Sequence, residues 1–184
     1  ELIKEQKVGK QNFCYTIRKN GVIGLEKITN VRRTKQNASV IKLTLDNGEV
    51  ITCTPDHKFM LRDGSYQEAQ YLQPTNSLMP LYRQISNIKE PGITIDGYEM
   101  AWNPKSDSWL FTHKLADWYN RHQKVYNKEA GEHGHHVDFN KRNNNPTNIN
   151  LITKEEHLAI HRKHISKTLH RPEVIEKSRL LKKT

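Results

Sequence analysis

Gly134-His135-His136-Val137-Asp138-Phe139 is followed by the polar run Asn143-Asn144-Asn145-Pro146, by Asn148-Ile149-Asn150-Leu151, and by Thr153-Lys154-Glu155-Glu156-His157-Leu158-Ala159-Ile160-His161. Thr153 and Glu156 carry the S/T-x-x-E spacing of a capping box, in which a hydroxyl and a carboxylate each satisfy a free backbone N–H. A helix is therefore predicted to begin at Thr153. His157 and His161 stand four residues apart on it, so both imidazoles project from one face and can converge on one cation, with His164 near the same face. By itself an H-x-x-x-H pair is more often a wet helix surface than a metal site. The upstream pair His135-His136 shifts that balance, because consecutive residues on a strand face opposite sides and can take different tasks. Strand, polar loop, strand and capped helix make a compact ββα unit with histidines on both arms.

Working outward, Trp102 to Trp109 reads as a strand pair turning around Asn103-Pro104. Thr112 is positioned to cap a helix carrying Leu115, Trp118 and Tyr119 at three- and four-residue spacing, ending near Tyr126. Pro172 opens a further helix, since proline lacks only an N–H that is unused in the first turn. Upstream, Phe13, Tyr15 and Ile17 alternate before Lys19-Asn20-Gly21, and Ile41, Leu43 and Leu45 alternate before Asp46-Asn47-Gly48. Phe59, Met60 and Leu61 precede Asp63-Gly64. These are hairpin signals, and a tight primed turn demands positive φ at both central residues. The first 85 residues are thus expected to be all-β. Pro91-Gly92 and Asp96-Gly97 mark turns, so the organisation expected is a β-domain over 1–85, a linker over 86–97 and a second domain over 98–184. The fold class is α+β.

Composition narrows the function. Hydrophobic residues make up 34% of the 184, or about 39% with the nine glycines added, below the roughly 45–50% usual for a well-filled core counted that way, which suggests two small cores or one core with a polar tail. No run approaches the roughly 20 apolar residues of a membrane span, and no signal peptide is recognisable. An intracellular protein, in cytoplasm or nucleoid, is expected. Cys14 and Cys53 are the only cysteines, too few for a disulfide framework or a cysteine-rich zinc module; a metal would be held by histidine. The net charge is +10: residues 1–85 hold 13 basic against 8 acidic residues, 86–153 hold 8 of each, and 154–184 hold 9 against 4. Basic ends around a neutral, histidine-rich middle suit contacts to phosphate backbones, and equally suit a solvated surface.

The order His-His, Asn twelve residues on, His nine residues further and His four later resembles the HNH, or ββα-metal, nuclease motif over Gly131 to His164. The resemblance implies His136 as the general base and His135, His157 and His161 as ligands of a divalent metal ion, Mg, Mn, Zn or Ni. It implies Asn148 as the asparagine that ties the loop to the backbone and holds the base-bearing strand, and products with a 5′ phosphate. Three imidazoles lean toward Zn²⁺, Ni²⁺ or Mn²⁺ rather than a site built for Mg²⁺. Histidine is the side chain whose ordinary pKa lies nearest neutrality, as a base for water requires. His133 and His164 read as bystanders, and Asn143 to Asn145 as turn formers.

The run from Val40 to Phe59, with Thr54-x-x-His57, and then Arg62-Asp63-Gly64 and Ser77-Leu78-Met79-Pro80, resembles the Hint fold of inteins. Thr54 and His57 match the splicing block that polarises the upstream peptide bond. Splicing also needs Cys or Ser at residue 1 and a terminal His-Asn, where this chain has Glu1 and Lys183-Thr184; as given, it is not expected to splice alone. The expected function is an intein-associated homing endonuclease acting on double-stranded DNA, gripped by Arg162, Lys163, Lys167, Arg171, Lys177 and Arg179, with Lys182 and Lys183 continuing the basic run. A complementary intein fragment or a second copy is a further partner; no membrane is involved. Two alternatives remain open: a protein-splicing fragment whose nuclease has decayed, and a DNA-binding module with a structural metal.

Overall fold

The computed structural model describes residues 1–87, 89–90, 93–169 and 171–181, with the backbone alone at 90, 93, 94, 168, 169, 177, 178, 180 and 181. In chain order come α1 (Leu2–Lys7), the pairs β1–β2 (Phe13–Ile17, Ile23–Lys27), β3–β4 (Ile41–Thr44, Val50–Cys53) and β5–β6 (Lys58–Met60, Tyr66–Glu68), and β7 (Arg83–Ile85). Then follow β8–β9 (Lys89–Glu90, Ile93–Thr94), β10–β11 (Glu99–Asn103, Ser108–Phe111), α2 (Thr112–His122), β12 (His133–His136), β13 (Ile149–Ile152), α3 (Lys154–Leu169) and α4 (Pro172–Leu181). The architecture is mixed α and β, in small antiparallel sheets of two or three strands.

The hairpins form where alternation and Asn-Gly or Asp-Gly placed them, but their turns are not the primed type. Only the glycine of each carries positive φ, at 79° for Gly21, 83° for Gly48 and 88° for Gly64. In all three the glycine N–H donates back three residues, to Arg18, Leu45 and Leu61. The preceding Asn20, Asn47 or Asp63 accepts from the N–H two residues on through its own side chain. This is a type I turn closed by a left-handed residue, the common three-residue hairpin loop.

Contacts divide the chain into two units: Glu1–Gly9 with Thr29–Tyr82, and Lys10–Ile28 with Arg83–Thr184. The division departs from the expected 1–85 and 98–184 boundaries. In the first unit β3–β4 and β5–β6 form the hairpins, and an isolated bridge pairs Leu61 with Leu78. It is not purely β. Leu2–Lys7 is helical, and a helix with no buried residue leaves no apolar stripe to read in the sequence.

In the second unit, Ile23 and Leu25 of β2 pack with Ala101, Leu115, Ala116 and Ile149, and Tyr15, Ile17, Leu110 and Tyr119 close around them. A hairpin signal says which residues turn, not what the hairpin lies against, and this one lies on α2. Residues 86–97 are not a bare linker either. Ser86 is buried, the Ser86 N–H donates to Tyr98 O at 2.8 Å and Gly97 N–H to Ser86 O, and the segment folds back as β8–β9 so that β7 pairs with β10. Pro91-Gly92 lies outside the described residues. Trp102 and Trp109 face each other across β10–β11 with ring centroids 5.3 Å apart. Thr112 does not cap α2: it is the first helical residue, fully buried, and its hydroxyl donates to Glu99 O at 3.1 Å. The helix stops at His122, where Lys124 turns to φ 56°, short of Tyr126.

Candidate metal centre

The site is built on β12, β13 and the start of α3. Thr153 caps α3 as its spacing predicts: Glu156 N–H donates to Thr153 Oγ1 at 3.2 Å and Thr153 N–H donates to Glu156 Oε2 at 3.0 Å. The first turn of α3 is therefore pinned where His157 leaves it. Antiparallel pairing sets His135 opposite Asn150 and His136 opposite Ile149. Because side chains alternate along a strand, one face of β12 presents His135 to α3 and the other presents His136 away from it.

His135, His157 and His161 each bring one ring nitrogen to within 4.8 Å of the other two. Their ring centroids lie 5.6, 5.3 and 4.4 Å apart, for His135–His157, His135–His161 and His157–His161. His135 is buried, and the other two are half-buried. Burial lowers the pKa of His135, and the neighbouring imidazoles of His161 and His157 lower it further; His157 is lowered by the same kinds of cause, burial first and then His161. Lowered pKa values favour the neutral form of His135 and His157, the form that ligates a metal. Three ring nitrogens at this separation fit a divalent ion, which needs nitrogen at about 2.0–2.1 Å and a fourth position left open. Phe139, held at φ 60°, walls the cluster, lying edge-on to His135 and His161 and stacked on His164 at 3.7 Å. His133 stacks on His157 at 5.3 Å and lies outside the triad.

His136 has different company. Its Nε2 is 3.1 Å from Asn144 Oδ1, and its ring faces His113 at 5.8 Å and Tyr98 at 6.1 Å. His113 is driven down to a pKa of about 4, by burial first and then by His136 and Lys114. Asn148 is buried and bonds elsewhere than to the imidazoles. Its Nδ2 donates to Asp138 Oδ1 and Asn143 O, both at 2.8 Å, and its Oδ1 accepts from Asp138 N–H at 3.1 Å. The amide clasps the loop that follows β12.

Asn143 and Asn145 act within that loop, Asn143 Nδ2 donating to Asp138 at 2.7 Å and Asn145 capping a short 3₁₀ turn over Pro146–Asn148. Asn144 is the residue that sequence reasoning misses, hidden in a run of three asparagines that look alike. His113 is missed because its α2 pattern signals only packing.

In the other unit, the Thr54 hydroxyl bonds the Asp56 carboxylate, which pairs with Lys35 at 2.9 Å; these contacts hold Asp56 down to a pKa of about 2. His57 is exposed, edge-on to Phe59 at 5.0 Å. Arg162, Lys163, Lys167, Arg171 and Arg179 are exposed, with Arg179 3.8 Å from Glu176. The Lys177 side chain, and Lys182 and Lys183, lie outside the described residues. Cys14 and Cys53 are free thiols. Among the described residues no helix is long and apolar enough to cross a membrane.

No protein-family model matches the chain. It is 67% identical over 179 residues to the DNA gyrase B protein of Synechocystis sp. (strain ATCC 27184 / PCC 6803 / Kazusa), a match that takes in 97% of this chain. The chain spans about 17% of the length of that relative.

Proposed function

We propose that the chain is part of an intein seated within a DNA gyrase B protein, and that its second unit is an HNH homing endonuclease, a metal-dependent hydrolase of DNA phosphodiester bonds. The carrying observation is the geometry of one strand. His135 joins His157 and His161 within 4.8 Å on one side of β12, while His136 stands apart from them beside Asn144. The match to a gyrase B protein suits an intein seated in such a protein, and Thr54-x-x-His57 within the hairpins of the first unit supports that reading. DNA as substrate places the work inside the cell.

The roles follow from the chemistry each side chain owns. His135, His157 and His161 would hold the divalent cation. When bound, the cation supplies positive charge against the scissile phosphate and the departing 3′ oxygen. His136 takes the proton from the attacking water, acting as general base. Asn148 keeps the loop after β12 closed, so that the strand bearing both histidines keeps its register. Arg162, Lys163, Lys167, Arg171, Lys177 and Arg179 neutralise phosphates of double-stranded DNA, each contact steepening the salt dependence by about 0.9 in log–log slope. A single site cuts one strand, so a double-strand break needs a second copy.

The test is plasmid nicking with a divalent ion, with and without chelator. The parent is expected to nick only with the ion, and His136→Ala to lose nicking while still binding metal. A His136→Ala chain that cuts as fast as the parent removes the base assignment, and a chain that binds no metal removes the site.

A further inference from the structure

Resting on that reading, we infer that Asn144 is the positioning residue of the general base: it orients the His136 ring and places its proton on Nε2, under the direction of Glu99. The argument is one of donors and acceptors. The Glu99 carboxylate can only accept, and it is held in place by Arg83 at 3.0 Å on Oε1 and by the Tyr15 hydroxyl, which donates at 2.9 Å to Oε2. Asn144 Nδ2 faces that same Oε2 at 3.4 Å and the Arg142 carbonyl at 3.4 Å. Both neighbours accept, so the amide must turn its NH₂ toward them and its oxygen the other way. That oxygen lies 3.1 Å from His136 Nε2. An amide oxygen is acceptor only, so Nε2 must carry the hydrogen, and the lone pair falls on Nδ1.

The consequence is a polarity running from β10 through the loop to the base. Tyr15 and Arg83 fix Glu99, Glu99 fixes the amide, and the amide fixes the tautomer in which Nδ1 is the nitrogen able to take a proton from water. Without the amide the ring is free to rotate and to exchange tautomers. Supporting groups of this kind are worth about 10–100-fold in activity.

The experiment reads the tautomer directly. ¹⁵N-histidine NMR of the full chain, with His136 assigned by loss of its signals in His136→Gln, is expected to show a single Nε2–H tautomer. Asn144→Ala should turn this into a mixture and lower kcat for plasmid nicking about 10–100-fold, with KM little changed. The double variant Glu99→Gln, Asn144→Asp exchanges acid and amide, keeps an oxygen facing His136, and should restore the Nε2–H tautomer and most of kcat. An Nδ1–H tautomer in the parent overturns the inference, and so does a His136 signal indifferent to Asn144→Ala in a folded chain. A tautomer that shifts as expected in a chain that never nicks DNA upholds the Asn144 contact and refutes the nuclease reading instead.

Discussion

Asn148 and Asp138 hold each other at two points, the amide oxygen accepting the Asp138 N–H at 3.1 Å and the amide NH₂ donating to the Asp138 carboxylate at 2.8 Å. Both partners stand at the ends of the loop between β12 and β13. Asn148→Ala leaves a backbone N–H and a carbonyl without their partner, at a cost on the order of 2 kcal/mol. The expected result is a lower unfolding midpoint together with weaker metal binding, since the loop carries the strand that carries His135. Chemical denaturation and metal titration of the same preparation check both.

Removal of the α3 cap should act in the same way at the other arm. Thr153→Ala forfeits the hydroxyl that receives Glu156 N–H, which costs about 1 kcal/mol in helix stability. His157 sits in the turn so freed. Calorimetry should show the destabilisation, and Thr153→Ser should recover most of it.

A metal that binds the folded triad should stabilise the chain by mass action, by about 2.7 kcal/mol at a hundredfold excess over Kd. Zn²⁺ is expected to raise Tm at a stoichiometry of one ion per chain, and chelator to reverse the rise. Apparent energies of about 10–16 kcal/mol shared over four ligands put the loss of one near 3 kcal/mol, so His161→Ala should weaken binding about 100-fold. An equal Tm rise in His161→Ala would count against the triad.

Stability should fall in acid because of His113. Its folded pKa is about 4 against an ordinary 6.5, so between these values the unfolded chain binds the extra proton. The contribution is complete above pH 6.5 and is lost as pH drops toward 4, about 3 kcal/mol at most. His113 Nδ1 is buried with no hydrogen-bond partner among the described residues, so His113→Phe forfeits no polar contact at that atom. Denaturation of parent and variant at pH 7 and pH 4.5, in chelator, should show a smaller acid loss in the variant.

The parts legible in sequence are those whose signals are local. Thr153 and Glu156 are three residues apart, and their mutual bonds need nothing else; Asn20-Gly21, Asn47-Gly48 and Asp63-Gly64 make their turns from their own atoms. His157 and His161 can be paired because helix periodicity puts them on one face, and His135 is added to them by the resemblance to the HNH motif. What escaped depends on distant partners. Thr112 looks like a cap until the Glu99 carbonyl claims its hydroxyl, and Asn144 is indistinguishable from Asn143 until Glu99, 45 residues away, is seen beside it.

The β1–β2 hairpin lends Ile23 and Leu25 to a core whose remaining walls come from far downstream. Neither unit is a continuous stretch of chain; the polypeptide passes from one to the other and back again. Trimming to 98–184 would strip Leu115, Ala116 and Ile149 of their cover and expose oily surface to water. The second unit prepared for study by itself must therefore keep residues 10–28 beside the stretch that begins at Arg83.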